Sequence, residues 1–174
     1  MRKYLPKLIT LVVASGVSGW LFAGGHEGGG LPALDNNLWR QECGSCHSAF
    51  HPGLLPERSW RKLMGGLERH FGENAGLDPA SRKTITEFLA ANAADRIDAR
   101  RARKVAASIP PGQTPLRISE TAWFERKHNE LGAAVWKRKD VASRANCGAC
   151  HAGAEHGRYS EHEIAVPGQG RWRG

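Results

Sequence analysis

The sequence predicts an all-α chain in two units, the second smaller and richer in loops. Three observations point there. Apolar residues recur at three- and four-residue spacing, as in Trp60, Leu63, Met64, Leu67 and Phe71, which is the pattern of one helix face. Helix-start chemistry precedes such stretches at Asp35, Ser59, Asp78-Pro79 and Ser119-Glu120. The pentapeptide Cys-x-x-Cys-His occurs twice, as Cys43-Gly44-Ser45-Cys46-His47 and as Cys147-Gly148-Ala149-Cys150-His151. Each unit is therefore expected to be organised around its own copy.

Cys-x-x-Cys-His is the attachment sequence for c-type haem. Two thiols on one turn can each add to a haem vinyl group, and the following histidine then stands against the ring and ligates iron. All 4 cysteines of the chain fall in these two pairs, so none is left over for a disulfide. A four-cysteine zinc site would leave both trailing histidines unexplained, and a thioredoxin-type pair would need a βαβ context that is absent. The expected cofactors are two covalently bound haem c groups. Cys43, Cys46, Cys147 and Cys150 are the attachment residues, with His47 and His151 as proximal iron ligands.

A chain of 174 residues allows one or two small domains. Its formal net charge of +8 by itself suggests nucleic acid or an anionic membrane. Four haem propionates change that reading, because they offset part of the charge, and a basic rim around a haem edge steers acidic redox partners. No nucleic-acid partner is expected. Aromatic residues make up only 7%, so the porphyrins themselves should supply much of the core.

The first 25 residues read as an export signal. Arg2, Lys3 and Lys7 precede an uncharged apolar run from Leu8 to Ala23, and Ala23-Gly24-Gly25 offers a small-residue cleavage site. The run is short for a membrane span; the alternative is an uncleaved anchor. Removing residues 1–25 takes away those three basic residues and no acidic one, so +8 becomes +5. Since c-type haem is attached outside the bacterial inner membrane, the expected location is the periplasm. Membrane contact would be transient, or through an uncleaved N-terminal segment.

After a glycine-rich leader, Asp35 is the expected N-cap of a helix through Leu38 and Trp39 into Cys43. A helix running straight into the haem-binding turn is similar to the start of class I cytochromes c. Residues 49–56 read as a turn-rich loop along the haem edge. Ser59 is expected to cap a helix that Gly72 ends. Asp78, with Pro79 at the first helical position, opens a helix to about Ala94 that buries Ile85, Phe88 and Leu89. It should pack across the helix before Cys43 and close a first haem domain over residues 34–94. Residues 95–118 hold Arg96, Arg100, Arg101, Arg103 and Lys104. They read as a solvated helical linker or, more sharply, as a docking surface for an acidic partner. Phe124, His128, Leu131 and Val135 form one stripe in the second haem domain, residues 119–167. The tail beyond His151 shows no long element.

Each iron needs a sixth ligand or an open position. Met64 is the only methionine besides the initiator, so at most one haem could be His/Met. The spare histidines are His26, His51, His70, His128, His156 and His162. His70 is preferred for the first haem, on an amphipathic helix whose apolar face needs a partner. His51 is the runner-up, too close to His47 to reach the opposite ring face easily. His128 is preferred for the second haem because it shares a stripe with Phe124 and Leu131. His156, His162 and Met64 remain open.

The order Cys-x-x-Cys-His, Leu54-Leu55-Pro56, Ser59-Trp60, His70-Phe71-Gly72, Lys127-His128 and Asn146-Cys-x-x-Cys-His resembles the small dihaem cytochromes c of proteobacteria, over most of residues 38–167. The resemblance implies bis-histidine haems, with His70 and His128 distal. It also implies electron transfer from a membrane b-type cytochrome to a soluble, oxygen-binding monohaem cytochrome c. The family loop is often Pro-Pro where this chain has His51-Pro52, which argues further against His51. Axial histidine rather than methionine lowers the reduction potential, so a low-potential electron carrier is expected rather than an enzyme. The competing classes are a small dihaem enzyme and a gas-binding cytochrome, each of which needs one open haem site.

Overall fold

The computed structural model describes residues 30–172, so the export signal and His26 lie outside the described residues. Among these residues the fold is helical, with one two-stranded ribbon. The all-α expectation holds.

Helix α1 covers Asn37–Gly44. Its cap is Asn36 rather than Asp35: the Asn36 Oδ1 accepts the Trp39 backbone N–H at 2.8 Å, and Asn serves this role as well as Asp. Trp39 is buried and meets Phe88 with ring centres 5.3 Å apart. Helix α2, Glu57–Met64, begins after Pro56 without a side-chain cap. Ser59 is inside the helix and buried, so it is not the cap. Gly65 and Gly66 end this helix, with Gly65 N–H bonded to Arg61 O at 3.0 Å. The expected continuation to Gly72 is replaced by a short 3-10 turn, Leu67–Arg69. Two successive glycines stop propagation although the apolar spacing carries on.

Helix α3, Pro79–Ala91, starts as expected, with Asp78 Oδ1 accepting from Ala80 and Ser81 N–H at 3.0 Å each. It packs on α2 and α1, and Ile85 and Leu89 are buried. Trp39, Leu55, Trp60, Met64, Ile85 and Leu89 belong to one core cluster. The Trp60 Nε1–H donates to Pro52 O at 2.7 Å, tying α2 to the loop after the first Cys-x-x-Cys-His.

The basic segment is helical too, but it is not a solvated linker. Helix α4, Arg100–Ala107, packs on the 52–54 turn and buries Ala102 and Val105 completely. These two join Leu31, Leu54, Trp123 and Phe124 in a second core, which draws on the leader, both units and the segment between them. The expected continuous stripe from Phe124 to Val135 is two helices, α5 (Ala122–His128) and α6 (Ala133–Trp136). Thr121 Oγ1 caps α5 by accepting the Phe124 N–H at 3.2 Å. Strands β1 (Ala165–Val166) and β2 (Gly170–Arg171) pair antiparallel, and Val166 packs with Val135 and Val141.

One backbone bond ties the leader to the second half, and the two attachment turns lie near each other. Leu31 N–H donates to Gly157 O at 2.9 Å. A Cβ on Gly148, inside the second Cys-x-x-Cys-His, would lie 3.9 Å from Ser48 Oγ, directly after the first.

Candidate haem sites

Cys43 lies on the last turn of α1 and Cys46 just beyond it, so the helix end presents both thiols and then His47. The His47 Nδ1 lies 2.8 Å from Ser48 O. A carbonyl can only accept, so Nδ1 carries the proton and Nε2 is left bare, which is the tautomer a metal needs. His47 stacks on Phe50 at 4.7 Å.

Facing it is His70, with ring centres 6.1 Å apart and planes 22° from parallel. His70 does not sit on a helix. It begins a tight turn closed by His70 N–H to Glu73 O at 2.8 Å and Glu73 N–H to His70 O at 3.1 Å. Phe71 and Gly72 fill the turn with φ of +54° and +106°, the left-handed pair that a two-residue hairpin turn requires. Phe71 is exposed, and the Arg117 guanidinium stands 3.8 Å over its ring.

The second site is more enclosed. Cys147–Ala149 forms a 3-10 turn, and His151 N–H reaches Cys147 O at 2.8 Å. Ala165 N–H bonds Cys150 O at 3.1 Å, so the ribbon of the tail clamps the motif. His128, at the end of α5, faces His151 with ring centres 6.2 Å apart and planes 82° apart. Its ring stacks on Phe124 at 3.9 Å, and its Nδ1 lies 2.8 Å from Phe124 O, which again leaves Nε2 bare. Burial, with the nearby His128 and the Arg101 guanidinium adding to it, pushes His151 down to about 4.

The residues fit two haems. Imidazoles bound to one metal from opposite sides at about 2 Å each have ring centres about 6 Å apart, and both pairs have that separation. A cavity of about 240 Å³ lies between His128 and His151, lined by Cys147, Cys150, Trp123 and Tyr159 among others. Four basic residues line it, Arg101, Arg126, Lys127 and Arg144, together with Glu130 and Glu161. Arg101 lies between the rings of Trp123 and Tyr159 at 5.4 and 5.5 Å. Arg144 lies against Phe124 and Trp136, and its Nε is buried without a partner. Donors of this kind suit a carboxylate-bearing ring. Burial raises the Cys43 and Cys147 thiols to about 11, the reverse of what a reactive redox thiol or zinc thiolate needs.

Of the other candidates, Met64 is buried in the first core, and His156 and His162 are exposed. His51 is buried and committed at both nitrogens: Nδ1 accepts the Gly53 N–H at 2.9 Å, so Nε2 carries the proton and donates to Pro32 O at 2.8 Å.

Residues 39–159 match the family model described as dihaem cytochrome c. The chain belongs to that family. A diheme cytochrome c from Rhodobacter sphaeroides is 45% identical, with 74% of this chain and 99% of that one covered and a TM-score of 0.66. A diheme cytochrome c from Shewanella baltica is 36% identical, over 79% of this chain and 98% of that one, with a TM-score of 0.66. The comparison with curated proteins gives no match. As a dihaem cytochrome c, the chain carries two covalently attached haem c groups, a composition consistent with electron transfer between redox proteins. Cytochromes c of this kind are exported. Among the described residues no helix is long and apolar enough to cross a membrane.

Sequence reasoning missed the aromatic and cationic wall of the second site. Arg101 is hidden in a run of surface-like charge, and Arg144 and Tyr159 in loop-like sequence. The available signal was the spacing of Ala102, Val105 and Ile109, which marks α4 as amphipathic and turns Arg101 inward beside it.

Proposed function

We propose that this dihaem cytochrome c is a periplasmic, low-potential electron carrier with both irons bis-histidine. Cys43 and Cys46 anchor the first haem between His47 and His70. Cys147 and Cys150 anchor the second between His151 and His128. The observation that carries this reading is the pair of facing imidazoles, 6.1 and 6.2 Å between centres, in which His47 and His128 have their Nδ1 tied to a carbonyl.

Haem iron supplies one-electron exchange. The chain contributes by fixing the imidazoles, which would hold each iron from both sides and leave no place for substrate. A Cβ built on Gly148 would lie 3.9 Å from Ser48 Oγ, so the two attachment turns are near neighbours, which suits passage of electrons within the molecule. Axial histidine keeps the potentials low. A membrane b-type cytochrome as donor and a soluble, oxygen-binding monohaem cytochrome c as acceptor fit such a carrier, as does a cleaved signal over residues 1–25.

The test is the absorption spectrum of the reduced protein with and without carbon monoxide. Two filled sites leave it unchanged. A carbon monoxide adduct in the wild-type protein would mean an open iron, and the reading of a small dihaem enzyme or gas-binding cytochrome would replace this one.

A further inference from the structure

The two sites differ in their charge environment. Around the second, Arg101 is half-buried between Trp123 and Tyr159, and its Nη2–H donates to Tyr159 O at 3.0 Å. Glu161, which Lys127 Nζ meets at 2.8 Å, also acts on it electrostatically. Arg144 lines the same cavity, with its charge partly offset by Glu125 at 2.7 Å. Around the first, His47 is exposed and the nearby Arg117 is solvent-facing, 3.4 Å from Glu120. A cation in a low-dielectric wall acts far more strongly than one screened by water.

We infer that Arg101, assisted by Arg144, holds the reduction potential of the second haem above that of the first, so that a single added electron resides at the second site. The inference rests on the bis-histidine reading. Reduction adds one negative charge at a site, and a fixed guanidinium favours that form. Exclusion of water acts in the same direction, because burial and dielectric are among the protein's levers on haem potential. Arg101 is thus a positioning residue that acts through charge and does not ligate.

The test is a potentiometric titration of the full, haem-loaded protein, followed by absorbance. Arg101→Gln should lower the higher of two midpoints by about tenfold in electron occupancy, about 59 mV for one electron, with the lower midpoint unmoved. Arg101→Lys, which keeps the charge, should restore most of the loss. Arg144→Gln should move the same midpoint by less, and Arg117→Gln only the other one. Should Arg101→Gln fail to load both haems, Arg101→Met, which keeps the bulk of the side chain without its charge, takes its place in the same titration. Unmoved midpoints in protein whose spectrum shows two six-coordinate haems would overturn the role of Arg101. Carbon monoxide binding by the wild type would instead overturn the ligation reading beneath it.

Discussion

The imidazole of His51 lies against Gly157: a Cβ there would come within 3.2 Å of His51 Cδ2 and 2.9 Å of Leu31 O. The loop after the first attachment turn, the loop after the second and the end of the leader therefore meet at one buried point.

Gly157 has φ of +72°, a conformation that costs a residue with a side chain roughly 1–2 kcal/mol. Gly157→Ala adds a clash with the Leu31 carbonyl, which is backbone and cannot swing away. The variant should lose at least about 1–2 kcal/mol of stability, measured by denaturant unfolding of the haem-loaded protein. A midpoint equal to that of wild type would show that the three segments do not depend on one another.

His51 gives the same point a pH dependence. Burial holds its folded-state pKa below the ordinary imidazole value, against a smaller opposing effect of the Pro32 bond. Protons are therefore taken up preferentially by the unfolded chain. Stability is unaffected by this group above an unfolded pKa of about 6.5 and falls as pH drops through that value toward the folded one. His51→Gln should show a shallower loss between neutral pH and about pH 5 than wild type. Parallel stability–pH curves for the two proteins would remove His51 from the account.

The planes of the facing imidazoles differ, 22° apart at the first site and 82° at the second. Perpendicular imidazoles leave the iron's two π-type d orbitals nearly degenerate, whereas parallel ones split them. The oxidised protein should therefore give two distinct low-spin paramagnetic resonance signals, the more anisotropic one from the second site. His128→Ala should abolish that signal and open one haem to carbon monoxide, and His70→Ala should do the same for the other. A variant that keeps both low-spin signals would exclude its histidine as a ligand.

If the basic segment docks an acidic partner, two of its residues are the ones to offer. Arg96 and Arg103 are exposed but paired with Glu57 and Asp98, and Arg101 is turned into the second cavity, whereas Arg100 and Lys104 are exposed. Opposite charge across a transient redox interface mainly raises the association rate, and salt screens it. Arg100→Glu with Lys104→Glu should slow electron exchange with an acidic partner and flatten its salt dependence. Rates that follow wild type at every ionic strength would leave the segment a purely internal role.

What was legible in the sequence was local. The attachment motifs, the Asp78-Pro79 start and the apolar spacing of α3 each depend on residues a few positions apart. The structure sets His70 opposite His47 and His128 opposite His151 by means that the periodicity only partly implies. His70 was expected on a continuing helix, but Gly65 and Gly66 end it and a tight turn delivers the imidazole. That turn was obscured because Phe71, not the usual Gly or Asn, takes the first left-handed position. His128 does end a helix on the Phe124 face, yet the stripe stops there. The role of α4 could not be read from its charge, because burial of Ala102 and Val105 depends on Leu54 and Trp123 far along the chain.

The two proposed distal histidines also hang on supports of unequal depth. Phe124, which stacks on His128, belongs to the core shared by both halves, whereas His70 is carried by a short turn beside an exposed Phe71. On the proposed ligation, His70 can leave its iron by opening of that turn alone, while His128 leaves only when the common core comes apart. Such local and global openings differ widely in free energy. Added imidazole or cyanide should therefore exchange rapidly at the first haem under native conditions, and at the second only as fast as the whole molecule unfolds.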